Sequence, residues 1–369
     1  MNGSLLVALA CGLAVAALPA ADKKKKKEDE TQTLQLPKEL PGAVVGETRR
    51  LTFHVTPLSG KGLLSAQIRD ALKALLRETG GNQVLKIRAF TAGSGDLRRV
   101  RDLVSEVFSD RRQALPVLSL IQSGGLPLEG AQVVLEATVA GKKEVNPFGL
   151  VFLSAAKAVA ANPLDPVAPL AEKALGTLRQ ALKTAGSEPA DVLRVTCFLS
   201  SLENLAATRK LVEAEYPRTA ANYVQTQRSP TQALAACEAV ARLQWNTGTR
   251  LLLKNVEGTE PEPGESQIAL VAARHVVLTG TQVSFGYQEA DSRLAFGRLQ
   301  KVLESAGVSF LDVAFAHYYP LASSIGSQVR KLRAGFFDMA HPPAVSMLLF
   351  EGLPSMDAGF AVDVVAVKE

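Results

Sequence analysis

The same order of local signals recurs three times along the chain, and that recurrence limits the fold more than any single motif. Each round begins with a helix-periodic apolar run stopped by glycine. The runs are Ala71-Leu72-Lys73-Ala74-Leu75-Leu76 before Gly80-Gly81, Leu178-Arg179-Gln180-Ala181-Leu182-Lys183 before Gly186, and Leu299-Gln300-Lys301-Val302-Leu303-Glu304 before Gly307. Apolar residues at this spacing bury one helix face, and a following glycine accepts the left-handed C-cap. β-rich segments come next, Val84 to Thr91, Val192 to Ser200 and Val313 to Tyr319. A second helix is predicted over Leu97 to Phe108, Leu202 to Tyr216 and Ile325 to Phe337, and each round closes with two strands around a turn at Leu126-Pro127, Ser229-Pro230 or Leu353-Pro354. The turns recur at roughly 100- to 125-residue spacing, too long for a solenoid of short repeats. They predict a tandem array of α/β units.

Composition supports packed units. The chain has 369 residues, 47% of them apolar and 21% charged, far from a disordered balance. A net charge of +5 is mild, and the run Lys23 to Lys27 is offset by Asp22, Glu28, Asp29 and Glu30, so no nucleic-acid partner is expected. The histidines His54, His275, His317 and His341 lack metal-ligand spacing, and no metal or cofactor site is predicted. Ser94-Gly95 and Gly124-Gly125 lack phosphate-loop spacing and are expected to be turns.

Leu5 to Ala20 is apolar but short of the ~20 residues of a membrane span. Residues 1–21 are therefore expected to be a signal peptide and residues 22–46 a charged flexible linker, giving an exported, periplasmic or extracellular protein with no transmembrane span in its mature form. The alternatives are a membrane anchor formed by this segment, or lipid attachment at Cys11.

At the next level the residues resemble a known family. Pro342-Pro343-Ala344, Gly352-Leu353-Pro354 and Ala361-Val362-Asp363-Val364-Val365-Ala366-Val367, with Leu303-Glu304-Ser305-Ala306-Gly307 and Asp312-Val313 before them, are similar to the C-terminal signature of the Rid (YjgF, L-PSP) family. Ala185-Gly186 and Asp191-Val192-Leu193-Arg194-Val195-Thr196 carry weaker echoes, as do Leu115-Pro116 and Gly125-Leu126-Pro127. The resemblance implies an α/β (α+β) fold of three tandem chorismate-mutase-like units, at 47–144, 145–247 and 248–369. Family subunits assemble as trimers, sheets inward and helices outward, with a ligand cleft at each interface. Three units in one chain then imply a monomeric pseudo-trimer.

The family's chemistry is hydrolysis of reactive enamines and imines of the 2-aminoacrylate type, which needs a guanidinium for the substrate carboxylate and an acid to move protons. The resemblance puts the arginine at Leu118, Ala221 and Val345, and the catalytic glutamate at Val134, Ala236 and Ala361. None of the six can do this work, although a neighbouring acidic position persists as Glu136, Glu238 and Asp363. No catalytic residue is therefore assigned. The expected role is binding of a small, possibly anionic, ligand or a protein partner. The alternatives are an enamine/imine deaminase and a structural subunit of an envelope complex.

Candidate ligand-binding residues follow the same resemblance. Arg101, Arg209 and Arg330 occupy a cleft-side helix position in the three units, the competing expectation being solvated helix arginines. Thr279-Gly280 matches the family's ligand-approach turn, Ser154-Ala155 is its degraded counterpart, and Thr56-Pro57 is too shortened to assign. Alternation aims His317 and Tyr319 to one face, where a packed pair competes with a role for Tyr319 in the cleft. After export Cys197 and Cys237 would be the remaining thiols, on strands that the family fold makes neighbours. Two buried free thiols are the favoured expectation; a bridge requires the residues to be directly opposite.

Overall fold

The computed structural model describes residues 37–369 apart from Ser94, 228–230 and Glu260. The expected signal peptide, Cys11 and the Ser229-Pro230 turn lie outside the described residues.

The chain begins with β1 (Ala43–Glu47), β2 (Leu51–Val55), α1 (Leu64–Glu78), β3 (Gln83–Ala92), α2 (Arg98–Asp110), β4 (Val117–Ser123) and β5 (Val133–Ala140). It continues with β6 (Leu150–Ala160), α3 (Val167–Ala185), β7 (Val192–Leu199), α4 (Leu205–Glu215), β8 (Ala220–Gln225) and β9 (Ala233–Arg242). After β10 (Leu251–Lys254), β11 (Ile268–Val271), β12 (His275–Thr279) and β13 (Gln282–Phe285) come α5 (Glu289–Ser305), β14 (Val313–Pro320), α6 (Ser323–Leu332), β15 (Ala344–Met347) and β16 (Ala358–Lys368). The helices and inner strands expected from periodicity are all present. Gly186 caps α3 at φ +71, its N–H reaching the Leu182 and Lys183 carbonyls.

Among the described residues the strands form three sheets. Sheet I has the order β2-β5-β3-β4, sheet II β10-β11-β6-β9-β7-β8, and sheet III β1-β12-β16-β14-β15, with β13 also on β16. One local order recurs: β3 lies antiparallel to β5 and parallel to β4, β7 likewise to β9 and β8, and β14 to β16 and β15. The strands flanking each Pro-containing turn therefore sit on opposite sides of a third strand instead of pairing with one another. A parallel pair needs a crossover, which α2, α4 and α6 supply.

Two elements depart from the expected boundaries. Residues 43–46, assigned to the flexible linker, belong to β1, which pairs with β12 from Ala43↔Thr279 to Glu47↔His275. Residues 251–254 and 268–271, assigned to the third unit, extend sheet II through β6, from Ile268↔Leu153 to Val271↔Leu150. An exposed strand edge is a row of unsatisfied N–H and C=O groups, and a neighbouring segment of chain satisfies it. Gly149 makes the second junction possible: it sits at φ +112, and a Cβ there would lie 2.0 Å from the Val271 carbonyl oxygen.

Alternation gives each inner strand two buried faces. Ile87 and Ala89 pack on α1 and α2, Val195, Cys197 and Leu199 on α3 and α4, and Ala316 and Tyr318 on α5 and α6. The opposite faces of the sheets meet one another. One shared cluster contains Leu51, Phe152, Val240 and Phe315, and another contains Phe90, Phe198, Tyr319 and Phe350. Between them lies a layer of buried charge.

The thiols are bridged, which corrects the favoured expectation. Cys197 and Cys237 are direct register partners, with Cα atoms 4.2 Å apart, and they form a disulfide within the helix-facing core. Direct opposition is the arrangement that brings neighbouring-strand cysteines within bridging range.

Candidate functional site

A cleft of about 520 Å3 opens where sheet II meets sheet III. One wall is the irregular middle of β6, Ser154 to Lys157, where pairing with β9 shifts register between Leu153 and Ala156. The other wall is Arg330 of α6 with Val345 and Met347 of β15, and Thr259, Glu262, Glu265 and Gln267 form its lip. An adjoining recess of about 220 Å3 shares Lys157, Arg330 and Met347 and continues to Ser200, Thr226 and Ser327. The two walls are held together by the Ser346 hydroxyl, which accepts a hydrogen bond from the Ala155 N–H at 3.0 Å.

Charge in this cleft is mixed. The Arg330 Nε lies 3.7 Å from Glu262 and 3.9 Å from Glu265, and makes no hydrogen bond. Arg333, behind it, donates to Glu265 at 2.5 Å and to the Pro263 carbonyl. Burial by the cleft walls, and then Arg330, push the Lys157 ammonium below its ordinary value, while Glu262 opposes the shift. Burial also raises the Glu265 carboxyl despite Arg333. Two cationic groups thus face one space with incomplete partnering, the chemistry that receives a small carboxylate or other anion.

The other predicted site residues fall elsewhere. Arg101 is exposed on α2, and Arg209 lies half-buried with its guanidinium 5.6 Å from the centre of the Tyr223 ring. Thr279 is buried inside sheet III, its hydroxyl accepting from the Val364 N–H at 2.9 Å. At Gly280 a Cβ would lie 2.8 Å from the Leu118 carbonyl oxygen, and Thr281 N–H donates to that oxygen at 3.2 Å. Backbone thus seats directly on backbone where the ligand-approach turn was expected. Tyr319 is buried at the centre of the molecule, away from the cleft, because inward alternation on β14 carries it between the sheets; its hydroxyl donates to Asp363 at 3.0 Å.

That centre is a network across all three sheets. Arg88 donates to Glu136 at 2.8 Å and to Glu238 at 2.6 Å. Thr196 and Asn222 each donate to Glu136 at 2.7 Å. Asp363 receives Lys86, Ser119 at 2.7 Å and Tyr319, and its Oδ1 faces His317 Nδ1 at 3.1 Å. Burial by itself would raise all three carboxyls, but facing cations outweigh it. Arg88 and Arg194 hold Glu136 low, Arg88 and His317 hold Glu238 well below the carboxylate range, and Lys86 and His317 hold Asp363 well below it too.

Sequence reasoning singled out Glu136, Glu238 and Asp363, with His317 and Tyr319, but missed the cationic partners Lys86 and Arg88. A signal existed: Lys86 and Arg88 alternate with Leu85, Ile87 and Ala89 in an otherwise apolar strand, so one face must bury charge. Lys157 was missed as well, a lone charge within Leu153 to Ala160. Glu262 and Glu265 lie in an irregular segment that carries no periodic signal.

No family model matches the sequence, and no curated protein matches it. Solved structures do show similarity. A member of the Rid protein family from Yersinia pestis is 18% identical over 32% of this chain and 100% of its own, with a TM-score of 0.29. A YjgF/YER057c/UK114 family member from Mycobacterium tuberculosis is 21% identical over 32% of this chain and 99% of its own, with a TM-score of 0.24. The Escherichia coli YjgF gene product is 15% identical over 26% of this chain and 81% of its own, with a TM-score of 0.23.

Proposed function

We propose that this chain is a noncanonical Rid-like protein, three tandem units closed into an intramolecular pseudo-trimer, that binds a small anionic ligand in the cleft between the second and third units and does not hydrolyse enamines. The observation that carries this is the cleft itself. It is open, Arg330 and Lys157 stand on its walls, and an apolar Val345 occupies the place where the resemblance expects the substrate-holding arginine. Ala361, at the expected glutamate position, is fully buried and cannot deliver a proton. A guanidinium and an ammonium on the walls, with the raised Glu265 carboxyl taken up by Arg333 at the lip, favour holding an anion over turning it over.

Export is part of the proposal and draws support from the Cys197–Cys237 bridge, since disulfides persist in oxidising compartments. No helix among the described residues is long and apolar enough to cross a membrane. Closure within one chain would make the protein monomeric in dilute solution, and light scattering that gave a multiple of the chain mass would count against it.

Calorimetric titration with a panel of small carboxylates tests the binding reading. At least one should bind, and Arg330→Ala should weaken it by about tenfold, the scale of one charged hydrogen-bonded contact. Failure of the whole panel, or equal affinity in the variant, would remove the ligand assignment. Accelerated hydrolysis of 2-aminoacrylate by the unmutated protein would instead establish the deaminase alternative.

A further inference from the structure

A second, much smaller cavity of about 30 Å3 lies in the charged centre. Its polar lining is Lys86, Arg88, Arg194, His317, Glu136 and Thr138, and side chains such as Phe53 and Phe152 close the remainder. This volume exceeds the ~10–15 Å3 that a single water requires. Two buried donors in this wall are unused: Arg88 Nη1 and Arg194 Nε make no hydrogen bond. Arg88 is 2% exposed and Arg194 8%, so bulk solvent does not satisfy them. Leaving guanidinium N–H groups unpaired in such a place is costly.

The charge count points the same way. Lys86, Arg88 and Arg194 face three carboxylates, Glu136, Glu238 and Asp363. His317 lies between two of the carboxylates. Its Nδ1 is 3.1 Å from Asp363 Oδ1 and its Nε2 is 3.2 Å from Glu238 Oε1. Of these charges Lys86, Arg88 and Arg194 line the cavity against Glu136 alone of the three carboxylates, so cations outnumber anions in the wall that carries the idle N–H donors.

We propose that this cavity is a binding site for one small monovalent anion of the halide class, held by Arg88 Nη1 and Arg194 Nε at the junction of the three sheets. A halide fits the observations better than water, because a water must also place its own two protons and most of the polar wall donates. Bound there, it offsets the local excess of cations in the cavity wall and joins β3 of sheet I to β7 of sheet II through a common partner. Burial pushes the Lys86 ammonium below the ordinary lysine range despite Asp363, and a nearby anion opposes that shift. The site is separate from the cleft of the second and third units and stands whether or not that cleft binds a carboxylate.

The test uses the full chain, unfolded with its disulfide intact and refolded in bromide, so that slow entry into a buried site cannot hide binding. Crystals grown in bromide should show an anomalous peak in the cavity within hydrogen-bonding reach of Arg88 and Arg194. The melting temperature should rise saturably by a few degrees in bromide relative to gluconate at equal ionic strength. Arg194→Leu should lose both the peak and the halide dependence. Ordinary density without an anomalous signal would show water in the cavity and overturn the proposal, as would equal melting in the two salts. Should Arg194→Leu fail to fold, the anomalous map of the unmutated protein decides alone.

Discussion

Arg88 and Glu238, 150 residues apart in sequence, meet at 2.6 Å in the buried centre, joining β3 of sheet I to β9 of sheet II. The same guanidinium holds Glu136 on the neighbouring strand of its own sheet. One side chain therefore pairs with two carboxylates from different sheets, and both are almost fully excluded from water. Such a contact is weak evidence of net stabilisation over an apolar centre, but its loss leaves charge without a partner.

Arg88→Met should therefore be severe. Removal of one partner from a buried pair costs about 3–5 kcal/mol, and here two carboxylates lose their principal donor. Urea denaturation of the variant, compared with the unmutated chain, measures the change. A loss under ~1 kcal/mol would mean that the surrounding donors or water compensate.

The same cluster makes stability fall in acid. Glu136, Glu238 and Asp363 are held below their ordinary values in the folded state. In the unfolded chain they titrate near pH 4, so below that pH the unfolded state binds protons that the folded state refuses. Their contribution is fully present above about pH 5 and is lost progressively as pH falls toward the depressed folded values. Unfolding free energies measured from pH 7 to pH 2.5 should show this decline, and Asp363→Asn should make it shallower.

Reduction of the Cys197–Cys237 bridge should destabilise the second sheet and its helices. The bridge spans a sequence separation of 40, for which loop-closure entropy gives a stabilisation of roughly 4 kcal/mol. Denaturation of the Cys197→Ala, Cys237→Ala double variant measures it. Alkylation of the unreduced, denatured protein followed by mass determination checks the bond: both thiols should be protected.

Gly149→Ala should disrupt the junction of β6 with β11. The residue combines φ +112 with a Cβ position 2.0 Å from the Val271 carbonyl oxygen, so the substitution adds backbone strain to a clash with backbone. A cost above about 2 kcal/mol is expected. Gly176→Ala, on α3 with open space around its Cβ position, is the control and should be neutral or stabilising.

The cleft shows how function was only half legible. Arg330 was named from its helix position, whereas Lys157 comes from the 145–247 segment and meets it only because β6 of sheet II faces α6 and β15 of sheet III. Tyr319 shows the opposite failure. Its face was read correctly from alternation, but that face proved to be the centre of the molecule and not the wall of a cleft.

What the sequence determined by itself was local. The helices, their glycine stops, the inner strands and the opposed faces of each strand follow from 3.6- and 2-residue periodicities, because burial of one face and backbone hydrogen bonding act over a few residues. The tertiary structure decided what depends on partners far away in the chain. It placed residues 43–47 on the edge of sheet III and 268–271 on the edge of sheet II, set Cys197 directly opposite Cys237, and brought Lys86 to Asp363 across 277 residues. An edge strand can pair with any extended segment that reaches it, and a buried charge requires an opposite charge without specifying its source. Periodicity carries no information about which one arrives; the closure of the three sheets on one another makes that choice.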